Sequence, residues 1–514
     1  MKYIIMAAGN GKRWNNYTGV PKHLVKIKNE IIIERTIRLL KENGVNDIII
    51  NSSNKEYEKY GLRHEPIKNE YEIDRYYSCK DILKTESEVC FIYGDVYYTE
   101  NAIKTIVSLD EEKFFGRLSG KDGIKGYGEI FAIKIKDVQK FLKRVAIIRR
   151  LVASNQIPRG IGWEVYKIYN GIPLKSDKLR FYKFLQQEKH PFFYSILDET
   201  EDLDNPKDYW SLENPEIVFY IPSIYIGGTT LALLNLIKKL NKKVFVVYNK
   251  NKNDIILNEF KKYSTIIKIE AEEIKCQTFV YCHLGGRVNL KAKKIIQWVH
   301  TAVEDYNYDF KKREADIWVT VSKEAKKQLD NRFNVNSKVI YNILNDVNTL
   351  SNEYIVDEKE EDLILVTISR LSKEKGLDRM ILFDKELNKR DINYKWYIIG
   401  EGKEKKYLQD NMNKESTVFL GELINPYPYL KISDYGIMLS DRESYCLFVA
   451  EARTLNVPVI VTNWNGVEEQ VVNKSNGYIL NMDLSNLNID EIIKKELKPK
   501  NIIESNLEEW YNIL

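Results

Sequence analysis

Three times over, this chain runs through short β-branched and aromatic segments separated by longer amphipathic stretches, and that alternation restricts it to mainly parallel sheets covered by helices. In residues 1–212 the strand-like segments are KYIIMAA, NDIIINS, EVCFIYG and GEIFAIKI, with IIERTIRLLKENG as a helical stretch. A second series runs EIVFYIP, KKVFVVYN, QTFVYCH, KIIQWVH, ADIWVTVS and KVIYNI. The acidic stretch NEYIVDEKEED separates it from a third, LILVTIS, YKWYIIG, STVFLG, YGIMLS and VPVIVTN. The implied units are residues 1–212, 213–352 and 353–485, followed by a helical tail over 486–514. Length agrees, since 514 residues at about 150 per domain make roughly three units.

Charge narrows the partners. Lys and Arg outnumber Asp and Glu by 79 to 74, a surplus spread along the whole chain. That is no nucleic-acid signature, although it would not repel phosphate-bearing substrates or an anionic membrane surface. Five scattered cysteines without a Cys-x-x-Cys pair argue against a disulfide framework or a zinc site and for a reducing cytoplasm. The opening apolar run is too short for a signal-peptide core. Residues Ile217 to Ile237 carry no charge over a length that could cross a bilayer, but Pro222, Gly227, Gly228, Thr229 and Thr230 divide them into a strand, a turn and a helix start. The expectation is a cytoplasmic protein, with room for peripheral contact at the inner face of the membrane.

The first chemical cluster lies in MAAGNGKRW. Ala8, Gly9 and Gly11 stand where the first strand should end, so the backbone can turn and present N–H groups to an anion, with Lys12 and Arg13 behind them. GVPKHL offers Lys22, and FIYGDVYY ends a buried-looking strand with Asp95 at the carboxyl edge, where ligands of α/β sheets lie. A carboxylate there suits Mg²⁺, which keeps several waters and takes one or two protein oxygens. A dinucleotide fingerprint would need glycine where Trp14 stands, and a Walker loop would need Ser or Thr where Arg13 stands.

These segments together resemble the sugar-nucleotidyltransferase-like superfamily, whose signature joins a Gly-x-Gly-x-Arg loop, a Pro-Lys-x-Leu segment and a Gly-Asp strand end. The resemblance implies that Arg13 and Lys22 contact the triphosphate and that Asp95 holds Mg²⁺. The second metal carboxylate falls in DETEDLDNPKDY, at Asp204 in preference to Asp202. Ser78 falls where related enzymes touch the nucleotide, and Glu129, Trp163 and Glu164 where they build an acceptor pocket, although these residue types suit packing or solvated surface equally well. The implied reaction is attack by a phosphate monoester on the α-phosphorus of a nucleoside triphosphate, CTP or UTP being favoured, with pyrophosphate leaving.

The second cluster is TISRLSKEKGLDRM followed by LSDRESYCLFVAEARTLNVPVIVTNWNG. Arg370 and Lys375 share one strand-to-helix loop, where a pyrophosphate would meet both cations and a helix N-terminus. Glu443 and Glu451 stand eight residues apart, about 12 Å if the stretch is helical throughout. They should then touch different parts of one long ligand. The segment resembles the Glu-x7-Glu motif of retaining glycosyltransferases of the GT-B fold, the family 4 group, over residues 216 to about 480. The resemblance implies that Arg370 and Lys375 bind the donor diphosphate, Glu451 the ribose and Glu443 the transferred sugar. It also implies that His300 lines the reaction centre and that Gly227 and Gly228 form a glycine loop near the acceptor and donor phosphates, with no metal required. Two departures stand out: Ser444 and Cys446 replace glycines of the usual turn, Cys446 narrowing the space beside the donor sugar, and Asn456 replaces a later glycine.

The expected whole is an N-terminal mixed, mainly parallel α/β nucleotidyltransferase domain followed by a GT-B module of two Rossmann-like domains, serving surface-glycan assembly. Its partners would be a nucleoside triphosphate, a phosphate monoester, a nucleotide-activated donor and a glycan or lipid-linked glycan acceptor. The alternative leaves one half catalytic and makes the other a nucleotide-sugar-binding or scaffolding module.

Overall fold

The computed structural model describes residues 1–514 apart from 9–12, 67–70, 119–127, 159–161, 176–177, 188, 305–311, 354–355, 357–361, 498 and 500–505. The chain forms two compact units, Met1–Asn214 and Pro215–Leu514.

In the first unit a seven-stranded sheet has the order Phe193–Ser195, Lys113–Leu118, Gly128–Ile135, Val89–Tyr93, Lys2–Met6, Ile48–Asn51, Leu62–His64. Gly128–Ile135 runs antiparallel to both neighbours and the remaining pairs are parallel. Apolar clusters cover both faces, one built on Ile4, Phe91, Phe114 and Phe141 and one on Ile5, Ile33, Ile92 and Phe131. The helix Ile32–Glu42 buries Ile32, Ile33, Thr36, Ile37, Leu39 and Leu40, the spacing of a single apolar stripe. The helix Pro206–Glu213 has a full start and stop: a capping box between Asn205 and Asp208, Pro206 at its first position, and Asn214 left-handed at its end.

The second unit holds two all-parallel sheets. One has the order Thr265–Lys268, Phe245–Asn251, Ile217–Ile224, Glu273–Tyr281, Asn289–Val299, Ile317–Thr320, Lys338–Val339. The other has the order Thr417–Gly421, Tyr394–Ile399, Leu363–Ile368, Tyr435–Met438, Val459–Thr462, Gly477–Leu480. The uncharged run at 217–237 is a strand, Ile217–Ile224, followed by the helix Gly228–Lys239. Among the described residues no helix is long and apolar enough to cross a membrane.

The tail expected over 486–514 is divided between the two cores. Ile489 and Ile492 join the core of the second of these sheets, whereas Trp510 and Ile513 of the helix Leu507–Ile513 join the core of the first. Most of the acidic stretch 352–362 lies outside the described residues. Asn456 has φ +58°, the left-handed backbone that its place in a glycine position requires.

Candidate active sites

In the first unit three carboxylates meet. The short strand Glu201–Asp202 pairs with Val96–Tyr97, and the Leu203 N–H donates to the Asp95 carbonyl at 2.9 Å. Asp208 accepts from the N–H groups of Asp204 and Asn205, both at 2.9 Å, and so fixes the backbone that carries Asp204. Ligand oxygens of Asp95, Asp202 and Asp204 consequently lie within 4.8 Å of one another. Lys22 forms an ion pair with Asp95 and lies 3.4 Å from Asp204, and Arg13 reaches Asp204 at 2.6 Å.

Electrostatics mark this cluster as incomplete. Burial and the neighbouring Asp95 and Asp204 push the Asp202 carboxyl well above its ordinary range. One oxygen of Asp202 is buried with no hydrogen-bond partner. Burial would raise Asp95 as well, but Lys22 and His23 outweigh it and hold that carboxyl low. Burial opposes the charge of Lys22, yet Asp95, Asp202 and Asp204 keep its ammonium above the ordinary range. Three hard oxygen donors, one of them orphaned, fit a divalent cation of the Mg²⁺ kind.

The other candidates of this unit are scattered. Arg13 is 73% exposed, and Ala8 is half-buried just past the strand Lys2–Met6. Gly9, Gly11 and Lys12 lie outside the described residues. Ser78 is buried in the core, its hydroxyl donating to the Arg75 carbonyl at 3.0 Å, so the structure does not bring it to the carboxylates. Trp163 packs flat against Phe193 at 6.0 Å and Glu164 lies 3.9 Å from Lys167, which makes both part of the packing. Glu129 sits 3.6 Å from Arg117, and burial with the nearby Glu201 pushes it up to about 7. Arg117, which sequence reasoning missed, pairs with Glu201 at 2.9 Å and also donates to the Thr200 carbonyl.

In the second unit a cavity of about 620 Å³ is lined by Gly227, Gly228, His300, Arg370, Lys375, Glu443 and Glu451 among others. Four segments far apart in the chain thus bring their candidates to one place. The helix Gly228–Lys239 begins at Gly227 without a side-chain cap, leaving its first N–H groups toward the cavity. Arg370 and Lys375 sit between the strand Leu363–Ile368 and the helix Leu377–Lys389. The intervening Gly376 has φ +69°, and a Cβ there would run into the Leu439 carbonyl.

Lys375 pairs with Glu443 at 2.5 Å, and Ser440 donates to the same carboxylate oxygen at 2.8 Å. Burial works against the Lys375 charge, but Glu443 keeps its pKa above the ordinary value. Glu451 is 7% exposed, accepts from the Tyr427 hydroxyl at 2.9 Å, and is pushed by burial up to about 7. Arg370 is exposed and lies 3.4 Å from Glu374. Burial, with His283 adding to it, pushes His300 down to about 3, and its Nε2 is buried without a partner. Asn342, also on the cavity wall, has a buried Oδ1 with none.

Two local expectations need revision. The helix carrying Glu451 starts at Leu447, so Glu443 lies in the preceding loop and the eight-residue spacing is not a helical one. Cys446 does line the cavity, and its backbone N–H and carbonyl are both held by the Gln470 side-chain amide at 2.9 Å. Ser444 also lines the cavity, and its hydroxyl accepts from the Ala302 N–H at 2.7 Å. Tyr427 escaped sequence reasoning, because no motif spacing marks a residue whose role is to hold another, and so did Asn342 on the cavity wall.

The comparisons with known proteins divide the chain in the same way. Residues 3–108 match the MobA-like NTP transferase domain, and residues 352–508 match glycosyl transferases group 1. The chain joins two transferase domains. A bifunctional sugar-1-phosphate nucleotidylyltransferase/acetyltransferase of Sulfurisphaera tokodaii is 32% identical over 186 residues, 35% of this chain and 43% of that one. A CTP:phosphoglutamine cytidylyltransferase of Campylobacter jejuni is 27% identical over 154 residues, 27% of this chain and 60% of that one. An uncharacterized glycosyltransferase of Methanocaldococcus jannaschii is 25% identical over 304 residues, 50% of this chain and 72% of that one. The chain thus carries one match to a nucleotidyltransferase-type domain and one to a glycosyltransferase-type domain.

Proposed function

We propose that the protein is a bifunctional enzyme of surface-glycan biosynthesis, of the capsule, lipopolysaccharide or teichoic-acid type. The first unit would transfer a nucleotidyl group from a nucleoside triphosphate to a phosphate monoester, releasing pyrophosphate. The second would transfer a sugar from a nucleotide-activated donor with retention of configuration. The observation that carries both parts is convergence: Arg13, Lys22, Asp95, Asp202 and Asp204 on one cluster, and Arg370, Lys375, Glu443, Glu451 and His300 on one cavity.

In the first unit Asp95, Asp202 and Asp204 would hold Mg²⁺, which supplies charge neutralisation for phosphate oxygens when bound. Lys22, already held among these carboxylates, would place its ammonium beside the triphosphate. Arg13, exposed and paired with Asp204, would clamp two phosphate oxygens with its planar fork. The Campylobacter jejuni relative's name supports CTP as the triphosphate, and an acceptor phosphate that need not be a sugar's. The Sulfurisphaera tokodaii relative's name supports a sugar 1-phosphate instead.

In the second unit Arg370, Lys375 and the first turn of the helix Gly228–Lys239 would neutralise the leaving nucleoside diphosphate without a metal. Glu451 would accept from the ribose hydroxyls, and Glu443 from the transferred sugar. A binding-only reading of this unit is favoured by Cys446, which stands on the cavity wall where the resemblance expects glycine.

Purified protein given CTP or UTP with Mg²⁺ and a panel of phosphate monoesters should release pyrophosphate, and Asp95→Ala should abolish the release. Unchanged turnover in that variant would remove the metal assignment. Nucleotide sugars incubated with and without glycan acceptors should yield nucleoside diphosphate. Binding without release across the panel would establish the binding-only reading.

A further inference from the structure

His300 ends a ladder of aromatic rings that leads to a distant part of the chain. Its imidazole lies 4.1 Å from the Trp298 ring, centroid to centroid, two residues back along the strand Asn289–Val299 and so on the same face. Trp298 in turn lies 4.6 Å from Trp510 at an interplanar angle of 67°, an edge-to-face contact. Both indoles are completely buried. Neither indole N–H has a hydrogen-bond partner, and neither does the Nε2 of His300. Rings whose polar edges are unsatisfied are held by shape and ring contact alone, so the position of each depends on the next.

The outermost ring is firmly seated. The helix Leu507–Ile513 and the Leu514 that follows it are anchored at three places, two of them on strands of the first sheet of this unit. The Tyr511 hydroxyl accepts from the Asn241 N–H at 2.9 Å, Lys294 donates to the Ile513 carbonyl at 3.1 Å, and Thr278 donates to the Leu514 carbonyl at 3.5 Å. Trp510 and Ile513 sit in the same apolar core as Trp298.

We infer that Trp510 is a positioning residue for His300, acting through Trp298, so that the helix Leu507–Ile513 belongs to the working parts of the sugar-transfer cavity. Without the Trp510 ring, Trp298 would relax into the vacated space and leave one face of the imidazole open to water from the cavity. Arg370, Lys375, Glu443 and Glu451 approach the cavity from the other sheet, whereas Trp298 and Trp510 lie in the core of the first. The effect should therefore fall on turnover and not on nucleotide binding. That consequence rests on the glycosyltransferase reading, whereas the state of the imidazole does not.

His283, on the loop after the strand Glu273–Tyr281, acts on His300 electrostatically, Arg370, Lys375, Glu443 and Glu451 share its cavity, and Glu508 and Glu509 of the helix are exposed to solvent. Burial keeps His300 uncharged through the neutral range.

The test is an NMR titration of the full chain labelled at its histidine rings. The five histidines are few enough to resolve, and His300→Gln assigns the signal. In the unsubstituted protein His300 should not titrate between about pH 5 and 8. In Trp510→Ala, and in Trp510→Leu should the alanine variant fold poorly, it should titrate inside that window. Trp510→Phe, which restores a ring, and Tyr511→Phe, which loosens the same helix away from the ladder, should stay silent. Where transfer is measurable, Trp510→Ala should lower kcat about 10- to 100-fold with KM for the donor within about twofold, and Trp510→Phe should recover most of it. The inference is overturned if His300 titrates in the unsubstituted protein, if it stays silent in both Trp510→Ala and Trp510→Leu, or if Tyr511→Phe moves it equally. Failure to find transfer with any donor would count against the glycosyltransferase reading while the titration still decides the ladder.

Discussion

Glu451 should make the second unit less stable as pH rises, and the size of the effect follows from its surroundings. The carboxyl is nearly inaccessible, and burial lifts it from 4.5 to about 7 despite the hydroxyl that Tyr427 donates. The folded chain thus binds this proton more tightly than the unfolded chain does. Stability from this group is fully present below pH 4.5, declines as pH rises, and is lost above about 7. A rise from 4.5 to about 7, at about 1.4 kcal/mol for each tenfold change, amounts to about 3 kcal/mol. Glu451→Gln keeps the volume and an acceptor for Tyr427 but has no charge to bury. The variant should match the parent near pH 5 and exceed it by about 2–3 kcal/mol near pH 8, a gain of several degrees in melting temperature. Calorimetry is the assay. Because two compact units need not melt together, the transition to follow is the one that Glu451→Gln moves and Asp95→Asn does not. The same substitution should weaken binding of a nucleotide-sugar donor, which would place the instability where the function is. A stability difference between variant and parent that does not change between pH 5 and 8 would refute the argument.

Three further outcomes are expected. Chelation of divalent cations, or Asp95→Asn, should abolish pyrophosphate release while leaving nucleotide-sugar binding by the second unit intact, as calorimetric titration over a donor panel would record; loss of both would break the assignment of separate sites. Glu469→Ala should cost about 1–3 kcal/mol in urea melts, because the Glu469 carboxylate accepts from the N–H groups of Lys323 and Glu324 at 2.9 and 2.8 Å and from the Tyr341 hydroxyl at 3.1 Å; a change under about 0.5 kcal/mol would mean that those contacts are idle. Asn456→Gly should be neutral and Asn456→Ala should destabilise by about 1 kcal/mol, since only the former accepts φ +58° freely.

Strand identity was legible wherever a strand is buried on both faces. Each apolar run singled out in the second unit forms a parallel strand, because a covered parallel sheet needs continuous apolar residues. The edge strands Leu62–His64 and Thr265–Lys268 were not legible, since an edge carries polar residues that read as loop. Site residues followed a similar division. Asp95 could be found because a carboxylate at the carboxyl end of a core strand has a mechanical reason to be there. The choice between Asp202 and Asp204 could not be made from spacing. It depends on the two-residue ladder with Val96 and Tyr97 and on the grip of Asp208, which bring both to the cluster. Trp510 was invisible for the opposite reason, as an aromatic residue at helical spacing reads as ordinary core.

Under the proposed reading the two sites meet the same chemical group by opposite means. The first surrounds its phosphates with three aspartates and places Lys22 and Arg13 against them, so the protein charges compensate one another before any substrate arrives. Such a site gains affinity for a triphosphate only together with a cation, which couples nucleotide and metal binding. The second pairs Lys375 with Glu443, keeps Glu451 protonated through much of the neutral range, and leaves Arg370 exposed. Glu401 and Glu422 also line this cavity, so its positive charge is local to Arg370 and Lys375, and the uncapped helix start at Gly227 adds N–H donors. A nucleoside diphosphate leaving group can be neutralised there by the polypeptide alone. A difference in electrostatic design, more than any difference in fold, therefore separates a metal-dependent displacement at phosphorus from a metal-free transfer at a sugar carbon within one chain.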